Sequence, residues 1–130
     1  MIYLDSAAVV KLVREEQHSG ELIQWINSHS DIALVSSALV EVEVPRALRR
    51  AAPQALVGVP AAIGRLFRVE IDATVRATAA AYPEPMLRSL DAIHLATAHE
   101  IRTDLSAFVC YDKRLQDSAH ALGLPVEAPT

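Results

Sequence analysis

Two acidic residues follow short apolar segments that are typical of buried strands. Asp5 ends the opening segment of the chain, Met1–Leu4, and Asp112 follows Phe108–Tyr111 near the other end. In an open parallel sheet, ligands bind outside the carboxyl ends of the strands. Two carboxylates at that edge predict a site for a divalent cation, because hard oxygen ligands suit such ions. A cation held there indicates metal-assisted chemistry on a phosphate group.

A third acidic residue, Glu43, lies in a segment with helical spacing. It follows Leu39 and Val40 at i−4 and i−3, so it falls on or beside the apolar side of the predicted helix. An acid on a packed face needs a partner, and metal ligation or an ion pair would each supply one. Glu41 falls on a more polar face and is interpreted as a surface residue, although its proximity leaves the assignment of the acidic position open.

The fourth acid, Asp91, lies in the first turn of the helix predicted over 89–102. A role in the helix dipole would explain it as well as a functional one, since acids stabilise helix N-termini. Asp5 and Asp112 have similar alternatives, as a helix cap and a turn residue respectively. No one of the four acids is strong evidence by itself.

Strand-like and helical segments alternate along the chain. This alternation predicts an α/β fold, an α/β/α sandwich in which helices cover both faces of a central parallel sheet of four to five short strands. The predicted strands are 2–5, 32–35, 67–71 and 107–111, with a short last one at 125–126. The predicted helices are 8–14, 20–28, a segment from the caps Ser36 and Ser37 to 50, an interrupted segment over 53–66, then 73–81, 89–102 and 114–122.

Length and composition indicate one globular domain over residues 1–130. Hydrophobic residues make up 52% of the chain and the formal net charge is −4, which argues against bulk attraction to nucleic acid but not against a phosphate substrate held through a metal. The single cysteine excludes an internal disulfide, and no segment has the length of a membrane span. We therefore expect a soluble cytoplasmic protein with no membrane association.

Several common catalytic motifs are absent from the sequence. There is no glycine-rich phosphate-binding loop and no nucleophile elbow. His94 and His99 are five residues apart, so they do not share a helix face as zinc-binding histidine pairs do. Both are interpreted as ordinary helix residues.

Taken together, the four acids and their surroundings resemble the PIN-domain family, and within it the VapC-type toxins of bacterial toxin–antitoxin pairs. The resemblance covers essentially the whole chain. It rests on the segments 2–7, 37–48, 90–96 and 108–115, followed by 121–126. The chain departs from the family pattern at Ala7, where a hydroxyl residue is usual, and at Cys110, where the family favours threonine or serine.

The resemblance implies a metal-dependent endoribonuclease. Asp5, Glu43, Asp91 and Asp112 would be its catalytic residues. Mg²⁺ or Mn²⁺ would be held by Asp5, Asp91 and Asp112, and Glu43 would ligate through water or orient the nucleophile.

The resemblance also implies partners: an RNA substrate, a cognate VapB-like antitoxin and a second copy of the chain in a homodimer. The basic residues near the motifs are candidate contacts to RNA phosphates: Arg14, Arg46, Arg49, Lys113 and Arg114. The main alternative is a catalytically inactive PIN-like module that binds RNA or protein. A phosphatase of the haloacid dehalogenase type would want an aspartate where Ala7 stands, and a receiver domain would want an acid on the second strand.

Overall fold

The computed structural model describes all residues, 1–130, and contains a five-stranded parallel sheet with strand order β3-β2-β1-β4-β5. The strands are β1 (Ile2–Leu4), β2 (Leu34–Ser37), β3 (Phe67–Val69), β4 (Ala107–Val109) and β5 (Val126–Glu127). The central strand, β1, leads into Asp5, and its neighbour β4 leads into Asp112. Their carboxyl ends are neighbours, since Leu4 pairs with Val109.

Alternation of side chains along the strands divides the interior into two apolar cores. In β1, Ile2 and Leu4 point into one core and Tyr3 points into the other. All three are essentially inaccessible to solvent. A strand buried on both faces must be apolar throughout, which explains why the sequence shows continuous apolar runs instead of alternating ones.

Seven α-helices cover the two faces of the sheet. They are α1 (Ser6–Val13), α2 (Ser19–Asn27), α3 (Val40–Ala51), α4 (Val59–Gly64), α5 (Ala73–Ala81), α6 (Ser89–Glu100) and α7 (Lys113–Ala121). Helices α1, α2 and α3 enclose the first core, α6 and α7 enclose the second, and α5 packs on α6. The predicted α/β/α sandwich is therefore confirmed. None of these helices combines the length and apolar character needed to cross a membrane.

The structure corrects the predicted start of the third helix. Ser36 and Ser37 are the last residues of β2 and not helix caps, and α3 begins only at Val40. Both serines are fully buried. Their hydroxyls bond the backbone instead, Ser36 donating to the Leu4 carbonyl at 2.6 Å. Ser37 Oγ accepts from the N–H of Leu39 at 3.1 Å, so a buried strand can end in two serines when nearby backbone groups satisfy both hydroxyls.

Candidate functional site

Asp5 stands at the junction of β1 and α1, where it is only 4% exposed. One carboxylate oxygen accepts a hydrogen bond from the backbone N–H of Ala8 at 2.9 Å, so Asp5 caps α1 while its charge stays at the sheet edge. Burial raises the pKa of Asp5 to about 6; the negative charges of Asp91 and Glu43 add to this rise, while the His94 imidazole and the Ala8 N–H oppose it. The capping role of Asp5 is therefore compatible with a position at the candidate site.

Glu43 projects from α3 and is held by two neighbours. Ser6 Oγ donates a hydrogen bond to its Oε1 at 2.6 Å, and His94 Nε2 lies 2.9 Å from the same oxygen. Partial burial alone would raise the pKa of Glu43, but these hydrogen bonds and the charge of Arg88 outweigh it and lower the pKa. Glu43 is therefore an ionised, oriented carboxylate at neutral pH, whereas Glu41 is exposed as predicted.

His94 connects Glu43 to the interior of the protein. Its ring is 1% exposed, and its Nδ1 lies 2.7 Å from the hydroxyl of Tyr3. Burial, with the charge of Asp5 as a further cause, raises the pKa of Tyr3, so the phenol stays protonated, and its hydroxyl is hydrogen-bonded to Nδ1. The Nε2–H of His94 is then directed at Glu43 and shared with Ser6 Oγ, 3.0 Å away. The interpretation of His94 as an ordinary helix residue is therefore incomplete, because its buried ring contacts the candidate acid Glu43.

We expect Tyr3→Phe to lower the free energy of unfolding by about 1–3 kcal/mol, because it leaves the buried Nδ1 of His94 without a hydrogen-bond partner. The ring of Tyr3 stacks on Phe108, with centroids 5.3 Å apart, and phenylalanine keeps that contact. Urea denaturation of the variant beside the wild type measures the loss. An unchanged midpoint would show that this hydrogen bond contributes nothing to stability.

Asp91 and Asp112 are joined by the guanidinium of Arg88. Nε and one terminal nitrogen of Arg88 both lie 3.0 Å from Asp91 Oδ2, and the same terminal nitrogen lies 3.7 Å from Asp112 Oδ2. Asp112 also caps α7, accepting from the N–H of Leu115 at 2.9 Å. Both acids thus lie at helix N-termini, Asp91 in the first turn of α6 and Asp112 as the cap of α7, and Arg88 brings them together at the candidate site.

The donor set at this edge is chemically suited to Mg²⁺ or Mn²⁺, because it consists of carboxylate oxygens and includes a buried acid that lacks a Lys or Arg partner. The side chains are not, however, arranged as a ready coordination sphere. No three carboxylate, imidazole or thiol groups stand close enough together to hold an ion. The guanidinium of Arg88 lies between Asp91 and Asp112, so an ion shared by these two acids would have to displace it.

The five predicted RNA contacts lie at varied distances from this site. Arg46 stands on the rim of a groove of about 350 Å³ that also contains Glu43 and Ser6. Lys113 forms an ion pair with Asp117 at 2.6 Å. None of the five forms an ion pair with any of the four acids; they are Arg14, Arg46, Arg49, Lys113 and Arg114.

Sequence reasoning missed three residues of this site: Arg88, His94 and Tyr3. A signal existed for Arg88, since Arg88 and Asp91 have the i, i+3 spacing at which opposite charges meet on a helix. Spacing alone could not reveal the other two. The contact of Tyr3 with His94 joins residues 91 positions apart and depends on how α6 packs against the sheet.

Comparison with known proteins gives a consistent result. A model of the PIN domain matches residues 2–121. The chain is 51% identical to Ribonuclease VapC35 of Mycobacterium tuberculosis over 131 residues, covering 99% of this chain and 97% of that protein. It is 40% identical to Ribonuclease VapC46 of the same species over 129 residues, covering 99% of this chain and 98% of that protein.

Solved structures share the fold at low sequence identity. The VapBC2 complex of Rickettsia felis, bound to a DNA fragment from its promoter, matches with a TM-score of 0.76 and 12% identity over the whole of both chains. VapC20 of Mycobacterium tuberculosis, a toxin that cleaves the sarcin–ricin loop, matches with a TM-score of 0.73 and 16% identity over 91% of this chain and 95% of that one. Given the family match and the near-complete alignment with close relatives, this chain belongs to the PIN-domain family, among its VapC-type members.

Proposed function

We propose that this chain is a Mg²⁺- or Mn²⁺-dependent endoribonuclease toxin that hydrolyses RNA phosphodiester bonds and is neutralised by a VapB-like antitoxin. The observation that carries the proposal is the gathering of Asp5, Glu43, Asp91 and Asp112 at one sheet edge. The 51% identity to a protein named as a ribonuclease supports the same activity. We further propose that residues 1–130 act as one PIN-like domain, as a homodimer in the cytoplasm, where cellular RNA is found.

In this proposal Asp5, Asp91 and Asp112 hold the metal ion. When bound, the ion supplies Lewis-acid polarisation of the phosphodiester and a water of lowered pKa. Glu43, kept ionised by Ser6 and His94, orients the attacking water and accepts its proton. Because the hydroxyl of Tyr3 is hydrogen-bonded to the other ring nitrogen of His94, the Glu43 carboxylate is held in one orientation before substrate binds.

The groove beside Glu43 is the surface that we assign to the antitoxin. More than half of its nine lining residues are hydrophobic, and Val42 and Leu90 expose 62% and 46% of their surface next to the acids. Exposed apolar side chains of this kind suit an apolar segment of a protein partner. Any segment lying there would cover Glu43 and one approach to the metal ligands. The fold shared with the VapBC2 complex supports this kind of partner.

The test is cleavage of total cellular RNA by the purified protein in Mg²⁺ or in EDTA. We expect cleavage in Mg²⁺ only, because polarisation of the phosphodiester in this proposal depends on the ion that Asp5, Asp91 and Asp112 would hold, and we expect Asp112→Asn to lose cleavage. Asp117→Asn is the matched control, since Asp117 is an exposed acid on the same helix that pairs only with Lys113. Cleavage that persists in EDTA or in Asp112→Asn would refute the mechanism. Saturable RNA binding without turnover would favour the inactive binding module.

A further inference from the structure

Arg88 holds a position that no other cation of the chain shares. It is the residue immediately before α6, its side chain is 69% exposed, and its guanidinium contacts both Asp91 and Asp112. It is the one lysine or arginine that forms an ion pair with any of the four acids. The positive charge at this acidic edge of the sheet is thus supplied by the chain itself.

The ion pairs of Arg88 with Asp91 and Asp112 are weak enough for a metal ion to displace them. Ion pairs of exposed side chains are weak, and the contact to Asp112 is long, at 3.7 Å. A divalent ion offers each carboxylate twice the charge at a shorter range. The guanidinium and a metal ion cannot both lie between Asp91 and Asp112, so the two cations must compete for these acids.

Displacement would leave the guanidinium free but close by. The Arg88 backbone would stay at the start of α6, so its permanently charged guanidinium would remain beside the acids that hold the metal. A guanidinium matches the two oxygens of a phosphate with paired hydrogen bonds.

We propose that Arg88 is a displaceable cation that occupies the metal site until a divalent ion binds, and then turns to hold the phosphate of the RNA substrate. This inference rests on the proposed function, and it assigns two sequential roles to one side chain. If both roles hold, removing the Arg88 charge should raise the affinity for metal and lower the rate of cleavage.

The experiment compares Mn²⁺ binding and RNA cleavage in Arg88→Gln and the wild type. Mn²⁺ binding is measured by calorimetric titration without RNA, and cleavage at saturating Mn²⁺. We expect Arg88→Gln to bind Mn²⁺ about two- to fivefold more tightly, since an exposed competitor is lost. We expect its cleavage to fall by about 10- to 100-fold, since a charge-assisted contact to phosphate is lost. Arg88→Lys, which keeps the charge but not the fork, should bind Mn²⁺ like the wild type and cleave at an intermediate rate.

Arg102→Gln is the matched control. It removes an equal charge from an exposed arginine beyond the far end of α6, whose contact is to the His99 carbonyl. Both its metal affinity and its cleavage should match the wild type. If Arg102→Gln tightened Mn²⁺ binding as much as Arg88→Gln, the loss of one positive charge anywhere on the protein would explain the effect, and the proposal would be overturned.

The remaining outcomes separate this inference from the proposed function. If the wild type neither binds Mn²⁺ nor cleaves RNA, the proposed function and the role of Arg88 are both refuted. If the wild type does both, and Arg88→Gln binds Mn²⁺ no more tightly, competition is refuted while the ribonuclease assignment stands. If Arg88→Gln cleaves like the wild type, the phosphate role is refuted. A merely structural role for Arg88 would weaken metal binding and cleavage together, which also overturns the proposal.

Discussion

Replacing Asp5 with asparagine is expected to reduce RNA cleavage by roughly three orders of magnitude while increasing the stability of the protein. Activity falls because a metal ligand supplies several kcal/mol of transition-state stabilisation, and each 1.36 kcal/mol is tenfold in rate. The measurement is the initial rate of RNA cleavage at saturating Mg²⁺. Wild-type rates in the variant would remove Asp5 from the ligand set.

The gain in stability follows from the raised pKa of Asp5. Burial and the neighbouring acids move this pKa from 3.8 to about 6, so folding disfavours the charged form. Two pKa units correspond to about 3 kcal/mol. Below pH 4 the Asp5 carboxyl is protonated in both the folded and the unfolded protein, and the free energy of unfolding is not reduced. As the pH rises through 6 the folded protein must also ionise this buried carboxyl, so at pH 7.5 the free energy of unfolding of the wild type is reduced by the full amount. Asparagine avoids the charge and still caps α1 through its side-chain oxygen.

Urea denaturation without added metal, at several pH values between 4 and 7.5, tests this expectation. The difference in unfolding free energy between Asp5→Asn and the wild type should widen from pH 4 to pH 6 and then level off. Saturating Mn²⁺ should narrow it again, because the ion stabilises only the protein that binds it. A variant that is less stable than the wild type at pH 7.5 would contradict the argument.

Glu43→Gln is expected to reduce cleavage by about 100-fold, while Glu41→Gln leaves it unchanged. The two residues lie two positions apart on α3 and differ in environment. Glu43 accepts from Ser6 and His94, and Glu41 is exposed and forms no side-chain hydrogen bond. Glutamine at position 43 keeps the shape but cannot take a proton from water. Cleavage rates at saturating Mg²⁺ measure both effects.

The reverse pattern, with Glu41→Gln inactive and Glu43→Gln active, would show that the wrong acid had been assigned. Equal losses in both variants would indicate that the charge of α3 matters more than the position of one carboxylate. The thermal midpoints of the two variants serve as the control for folding.

Much of the fold was predictable because its signals are local. Apolar runs ending at Asp5 and Asp112 indicated the adjacent strands β1 and β4, and the alternation of strands with helices predicted the parallel sheet. Helix α5, predicted over 73–81, has those bounds in the structure. The error at Ser36 and Ser37 arose because serine favours helix caps locally, whereas here the neighbouring strand satisfies the hydroxyl of Ser36 and the Leu39 N–H, before the helix begins, satisfies that of Ser37.

The site was predictable only in part. The four acids stood out because charged residues are costly in or beside apolar segments. The residues that orient Glu43 did not stand out, since Tyr3 and His94 resemble ordinary core residues until α6 is packed on the sheet. Their roles are properties of tertiary contacts between distant segments, which a single sequence does not display.

The stacking of Tyr3 on Phe108 has a consequence for how this protein tolerates change. Phe108 belongs to β4 and is fully buried in the second core, yet its ring sets the place of a phenol that steers an imidazole toward a carboxylate. In the proposed mechanism, interior packing and enzymatic activity are therefore linked in this chain. We expect even a conservative replacement of Phe108, such as Phe108→Leu, to lower the rate of RNA cleavage, although Phe108 itself is buried and would not contact RNA.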